Sequence, residues 1–160
     1  MGTTFVTADG EHGFWMRDGV LELWLRLLAL HIPDQVSQPG GFDSETVHRV
    51  SRQILDHWML ASKGGWIGCV PVNLEDAVST PEGKAVVTTA IQSLRDALNR
   101  HPGLINKDAL NLLGFKRSHL VFVEDVEARG LLDVADAFCD VIDGKITDTA
   151  RQTDRMPGSR

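Results

Sequence analysis

Asp18-Gly19-Val20-Leu21-Glu22-Leu23-Trp24-Leu25-Arg26-Leu27-Leu28-Ala29-Leu30-His31-Ile32 is the stretch whose reading decides the fold. Asp18 offers a side-chain acceptor for the first free amides of a helix, and Pro33 forbids its continuation. At about 100° per residue, Glu22 and Arg26 fall together on one narrow arc, and nearly every other direction is apolar. A helix that is apolar almost all round belongs in the middle of a domain, not on its surface. The spacing predicts an i, i+4 contact between Glu22 and Arg26 at the one wet edge of this helix. With Glu22, Arg26 and His31 inside it, the run is too short and too charged to span a bilayer.

Other elements are placed around this helix. Upstream, Thr3 to Met16 carries β-type residues on both sides of Asp9-Gly10, a hairpin signal. Downstream, Asp43 caps a second helix to about Lys63, with Val47, Val50, Ile54, Trp58 and Ala61 inward and Gly64-Gly65 as its stop. Trp66 to Val72 reads as a strand or a buried crossing limited by Pro71, and Asn73 as the cap of a single turn, Leu74 to Val78. Thr80-Pro81-Glu82 opens a third helix that runs to about Arg100. A short helix from Asn106 or Lys107 to Leu113, a strand from His119 to Val123, and a last helix capped by Asp125 and closed by Gly144 complete the order. The expected fold is mainly α with minor β: about four main helices with 18–32 as the central buried one, and two to four short strands. Residues 1–146 are expected to form one globular domain and 147–160 a mobile tail, because the tail has no apolar period.

Composition narrows the function classes. The chain has 160 residues, of which 42% are hydrophobic and 24% charged, the balance of a globular protein rather than a disordered one. Its net charge of −6 argues against nucleic acid, whose binding runs on Lys and Arg, and against docking on anionic membranes. The N-terminal residues lack a basic region followed by an apolar run, so a cytoplasmic location is expected by default. Two cysteines, Cys69 and Cys139, are too few for a disulfide scaffold and read as buried free thiols.

Signatures of catalysis are missing. Gly83-Lys84 lacks the rest of a phosphate loop, and Gly64-Gly65-Trp66-Ile67-Gly68 follows a helix where a dinucleotide fingerprint needs a strand. The six histidines stand at 12, 31, 48, 57, 101 and 119, with no pair at helical ligand spacing. No catalytic residue, metal site or cofactor is therefore expected. His31 reads as a core histidine that serves the helix end. Asp56 and His57 are adjacent on a helix and diverge by about 100°, so they cannot act on one another as a dyad.

The last helix carries the one unusual surface. Asp133, Asp136, Asp140 and Asp143 lie within roughly an 80° arc at about 100° per residue. With Glu124, Asp125 and Glu127 just upstream, the segment 124–143 holds seven acidic residues against one cation, Arg129. Asp140 and Asp143 occupy the last turn, where the helix dipole disfavours anions by about 0.3–1 kcal/mol each. Trp15 and Trp66, in non-helical segments, join this list as aromatic contact residues. The leading expectation is a non-catalytic protein-binding module of the inhibitor or immunity type. Asp133, Asp136, Asp140, Asp143, Glu124, Glu127, Trp15 and Trp66 would contact a basic protein. The alternatives are a small hydrolase or transferase built from His57, Asp56, His119 and Glu124, and a structural or regulatory subunit of a homo-oligomer.

Overall fold

A computed structural model describes residues 2–36, 41–114 and 121–158. The fold is mainly α with minor β. Among the described residues the order is β1 (Thr3–Thr7), β2 (Gly13–Arg17), α1 (Asp18–Leu30), α2 (Ser44–Ala61), α3 (Leu74–Ala77), α4 (Pro81–Arg100), β3 (Leu104–Ile105), α5 (Lys107–Asn111), β4 (Val126–Glu127) and α6 (Ala128–Ile142).

The β1–β2 hairpin forms around the expected turn, with Phe5 opposite Trp15 and Thr7 opposite Gly13. Asp9 organises the turn: its carboxylate accepts from the backbone N–H of Glu11 and His12 and faces the His12 ring at 2.7 Å. β2 runs directly into α1. Asp18 is therefore the first helical residue and not its cap; the cap position falls on Arg17. The Asp18 carboxylate is spent elsewhere, accepting from Thr4 Oγ1 at 2.8 Å and from the Gly68 amide at 2.7 Å.

Leu21, Leu23, Trp24, Leu25 and Leu28 of α1 are buried, as a helix apolar on most sides must be. α1 packs on α2 and α4, and α4 packs in turn on α2 and α6. Trp24 reaches the Phe138 ring of α6 at 5.5 Å, and Phe138 meets Phe14 of β2 at 5.7 Å, so hairpin and helices share one core. Asp43 and Thr80 cap α2 and α4 through their side chains, and Pro81 stands in the first turn of α4.

Three expectations are corrected. Glu22 and Arg26 do not lie at a wet edge: both are buried. The run from Trp66 to Val72 forms no strand. The carboxylate of Asp18 and the hydroxyl of Thr4 take the amides of Gly68 and Val70 that a strand partner would otherwise receive. The strand expected at His119–Val123 falls partly outside the described residues, and Val121–Val123 is not a strand; pairing occurs at Val126–Glu127 against Leu104–Ile105. Residues 148–155 lie along β2. Gly13 N–H donates to the Asp148 carbonyl, Trp15 N–H to the Arg155 carbonyl and the Trp15 indole to the Ala150 carbonyl. The open edge of β2 supplies what the tail's apolar period lacks, a row of backbone partners.

Candidate functional site

Three of the four aspartates on α6 are answered by cations from outside the helix. Arg95 of α4 donates to Asp136, Arg155 of the C-terminal segment to Asp140 at 3.3 Å, and Lys145 to Asp143 at 3.0 Å. The row that looks uncompensated in sequence is thus largely neutralised by residues 2 to 41 positions away. The carboxylates that take no ion pair among the described residues are the others on the expected list: Glu124, Glu127 and Asp133.

Those three converge. Together with Asp125 they rim a groove of about 450 Å³ between the start of α1, the β4 segment and the start of α6. Val20 and Leu23 of α1, Leu131 of α6 and Phe122 supply its apolar lining. Arg17 and Arg129 are the two cations on its wall, against four carboxylates. Asp125 also accepts from the Lys107 amide at 2.9 Å, which ties the rim to α5. Local sequence explains the placement. β4 pairs with β3 for only two residues before α6 begins, so Glu124 to Leu131 forms one sharp corner that turns both Glu127 and Asp133 to the same side.

The aromatic candidates stand apart from this groove. Trp15 is half-buried; it packs on Phe5 with centroids 5.3 Å apart and lies under the C-terminal segment. Trp66 is 37% exposed and donates its indole N–H to the Ala61 carbonyl. Neither lines the groove.

The residues of the hydrolase alternative are not brought together. His57 lines a separate cavity of about 360 Å³ with Arg49, Gln53, Asn73, Asp76 and Thr80, whereas Asp56 is exposed, Glu124 belongs to the acidic groove, and His119 lies outside the described residues. The His57 ring contacts the Pro71 carbonyl at 2.8 Å; a carbonyl only accepts, so Nε2 is the donor there. His31 does not serve its own helix end through the ring. Its Nδ1 meets Ser93 Oγ of α4 at 2.8 Å, and burial with Arg100 nearby lowers its pKa. Cys69, expected to be buried, is exposed, and Cys139 is half-buried; both are free. Burial pushes the Cys139 thiol up, which Arg95 partly opposes.

The environment of one group was misread from the sequence. Glu22 is 4% exposed and has no hydrogen bond or ion pair among the described residues. Burial, with the charge of Asp18 beside it, pushes its carboxyl up to about 7. The signal was present in the row Asp18, Glu22, Arg26, three polar residues at i, i+4 and i+8; reading Asp18 as a cap hid it.

Among the described residues no three His, Cys, Asp or Glu side chains are grouped so as to hold a metal ion, and no helix is long and apolar enough to cross a membrane. Comparison of the chain with protein-family models, with curated proteins and with solved structures returns no match.

Proposed function

We propose that this protein is a non-catalytic protein-binding module of the inhibitor or immunity type, acting in the cytoplasm on a basic protein partner. The observation that carries this reading is the groove rimmed by Glu124, Glu127 and Asp133, which form no ion pair among the described residues, whereas Asp136, Asp140 and Asp143 do. The recognition surface is accordingly narrower than the whole acidic helix. It combines an excess of negative charge, four carboxylates against Arg17 and Arg129, with the apolar lining of Val20, Leu23, Phe122 and Leu131. A partner segment that carries Lys or Arg beside an apolar anchor matches that arrangement: the charges steer the encounter and the anchor supplies the buried area.

The test uses two triple variants of the full chain. Glu124→Gln/Glu127→Gln/Asp133→Asn removes the groove charges, and Asp136→Asn/Asp140→Asn/Asp143→Asn removes the paired ones. Each is compared with the wild type for capture of partner from the source cell and for association rate with that partner. The expected result is at least a tenfold slower association for the groove variant, shrinking as salt rises, and a much smaller effect for the other. Equal binding by the wild type and the groove variant would remove the reading.

A further inference from the structure

The sequence signals a strand at residues 121–123 that the fold leaves without a partner strand. Val121-Phe122-Val123 is β-branched and aromatic, a composition that suits a pleated, half-buried surface. Phe122 N–H donates to Asn111 Oδ1 at 2.9 Å, and Asn111 Nδ2 donates to the Phe122 carbonyl at 3.0 Å. One carboxamide meets both groups only if they point the same way, as the N–H and C=O of one residue do in extended backbone. Residue 122 is therefore extended. The Asn111 side chain stands where a residue of a neighbouring antiparallel strand would exchange both bonds with it. A further bond, from the Lys107 amide to the Asp125 carboxylate, fastens the segment to α5 again.

The opposite edge is open. In extended chain the N–H and C=O groups of successive residues alternate sides, so those of Val121 and Val123 face away from Asn111. Neither residue makes a backbone hydrogen bond among the described residues. The side chains alternate as well. Phe122 is half-buried and lines the acidic groove, whereas Val121 is 66% and Val123 78% exposed. Leu112, next to Asn111 in the chain, is 85% exposed. Proteins blunt such an edge with Lys or Pro, or cover it, and neither Lys nor Pro stands at 121–123. From this edge the chain passes directly to Glu124, Asp125 and Glu127 on the groove rim.

We propose that residues 121–123 are a strand-pairing edge, to which an extended segment of the basic partner adds while its Lys or Arg residues run on to Glu124 and Asp125. The proposal rests on the reading of the acidic groove as a protein-binding surface, and it names the conformation of what binds there. The occupant is an extended segment rather than a helix because the edge leaves backbone donors and acceptors unpaired as well as apolar surface. It is basic because the charged residues that directly follow the edge, Glu124, Asp125 and Glu127, are all carboxylates. Main-chain bonds to Val121 and Val123 hold the added strand. Their exposed side chains meet β-branched or other apolar residues across the pair. Phe122, fixed by Asn111 and turned into the groove, joins the open edge and the acidic rim in one continuous segment.

The test reads three consecutive amides. In the full chain alone, solvent exchange followed by NMR should find Phe122 protected and Val121 and Val123 near the unprotected rate. The probe is an acetylated and amidated Lys-Lys-Val-Thr-Val peptide, which in antiparallel register sets its lysines against Asp125 and Glu124. At millimolar peptide, exchange at Val121 and Val123 should slow by about tenfold while Phe122 changes little. The same peptide N-methylated at both valines keeps its side chains but loses the donors, and it should slow neither amide. Val123→Pro removes a donor that no internal bond uses and should not bind the peptide; Val123→Thr should bind it. No slowing at either amide, equal slowing by the N-methylated peptide, or unchanged binding by Val123→Pro would each overturn the proposal. So would protection of Val121 and Val123 that grows with the concentration of the chain alone, because a second copy would then cover the edge. If Val123→Pro does not fold, the N-methylated peptide decides. Failure of the groove reading shows elsewhere: the Glu124→Gln/Glu127→Gln/Asp133→Asn variant would bind the cellular partner like the wild type, with the exchange pattern at 121–123 unaltered.

Discussion

Two polar rows, on α1 and on α6, look alike in sequence and meet opposite fates. Asp18, Glu22 and Arg26 are spaced four apart; Asp133, Asp136, Asp140 and Asp143 are spaced three or four apart. Helical spacing makes each set share a face. On α1 the segment 62–70 is fastened to that face at Arg26 and at Asp18, and Asp18, Glu22 and Arg26 are all buried. On α6 the face stays outside and is answered by Arg95, Arg155 and Lys145. Periodicity decides which residues stand together. What covers them is decided by segments far along the chain, and that difference sets whether a charge costs several kcal/mol or almost nothing.

The largest effect that can break this contrast comes from Arg26. Replacing it with alanine removes three hydrogen bonds and leaves the Ser62 hydroxyl and two carbonyls, of Ser62 and Leu113, short of a donor. The expected loss is about 3 kcal/mol, in the range for a broken buried polar network. A urea melt that places Arg26→Ala within about 0.5 kcal/mol of the wild type would mean that the row is in effect at the surface.

Glu22 gives the next largest effect, with the opposite sign. Burial, with Asp18 beside it, pushes its pKa up to about 7 in the folded protein from the ordinary 4.5 of a solvated glutamate, so the folded state binds the proton more tightly than the unfolded one. Stability is then greatest below pH 4.5, falls as pH rises through the interval to about 7, and is level above it. Glu22→Gln, which cannot ionise, should be more stable than the wild type at pH 8 by up to about 2–3 kcal/mol and nearly equal to it at pH 4.5. The difference between the two melting temperatures across pH isolates this group from all others. A constant difference from pH 4.5 to 8 would show that Glu22 is solvated when folded.

How much of this was legible follows the same division. The bounds of α2 and α4 were readable because Asp43 and Thr80-Pro81 are local signals, and the helix at 18–32 was readable because nine large apolar residues fill it. The course of residues 62–70 was not readable. Its fastening depends on Thr4 and Asp18 receiving amides from residues 66 and 50 positions away, and no local pattern announces such a bond. For the same reason Cys69 read as buried among Trp66, Ile67 and Val70, although the two amides pinned on either side of it leave its side chain outside. The α6 aspartates read as uncompensated because Arg95 belongs to another helix and Arg155 to a segment with no apolar period. Of the acidic candidates, Glu124, Glu127 and Asp133 do share a groove, but its apolar lining from α1 and Phe122 has no signature in the sequence around them.

On α6 the expected effects are smaller. Arg95 and Asp136 form a pair that is mostly open to solvent on the carboxylate side. Arg95→Gln should cost under about 1 kcal/mol, and that cost should shrink in high salt. A double-mutant cycle with Asp136→Asn should attribute most of it to the pair. A loss as large as that for Arg26→Ala would erase the distinction between the two rows.

The smallest effect is at the end of α6, where two terms oppose each other. Asp140 and Asp143 sit against the negative end of the helix dipole, an unfavourable contribution of about 0.3–1 kcal/mol each at low ionic strength. Each also has a cation, Arg155 at 3.3 Å and Lys145 at 3.0 Å, in a partly exposed pair that contributes about 0.2–1 kcal/mol. Asp140→Asn/Asp143→Asn should therefore change the stability by less than about 0.5 kcal/mol, roughly 1–2 °C in melting temperature for a domain of this size. The single variants should separate the terms. Lys145 is two residues from Asp143 and holds nothing else in place, so Asp143→Asn should be neutral or slightly stabilising. Arg155 belongs to the segment fastened along β2, where its carbonyl takes the Trp15 amide, so Asp140→Asn also loosens a tertiary crossing and should be slightly destabilising. Thermal melts of the two singles at low salt measure this directly. If both singles raise the melting temperature equally, the C-terminal cation offsets nothing. The α6 row would then be as uncompensated in the folded protein as its spacing alone suggests, and the contrast with α1 would rest on burial only.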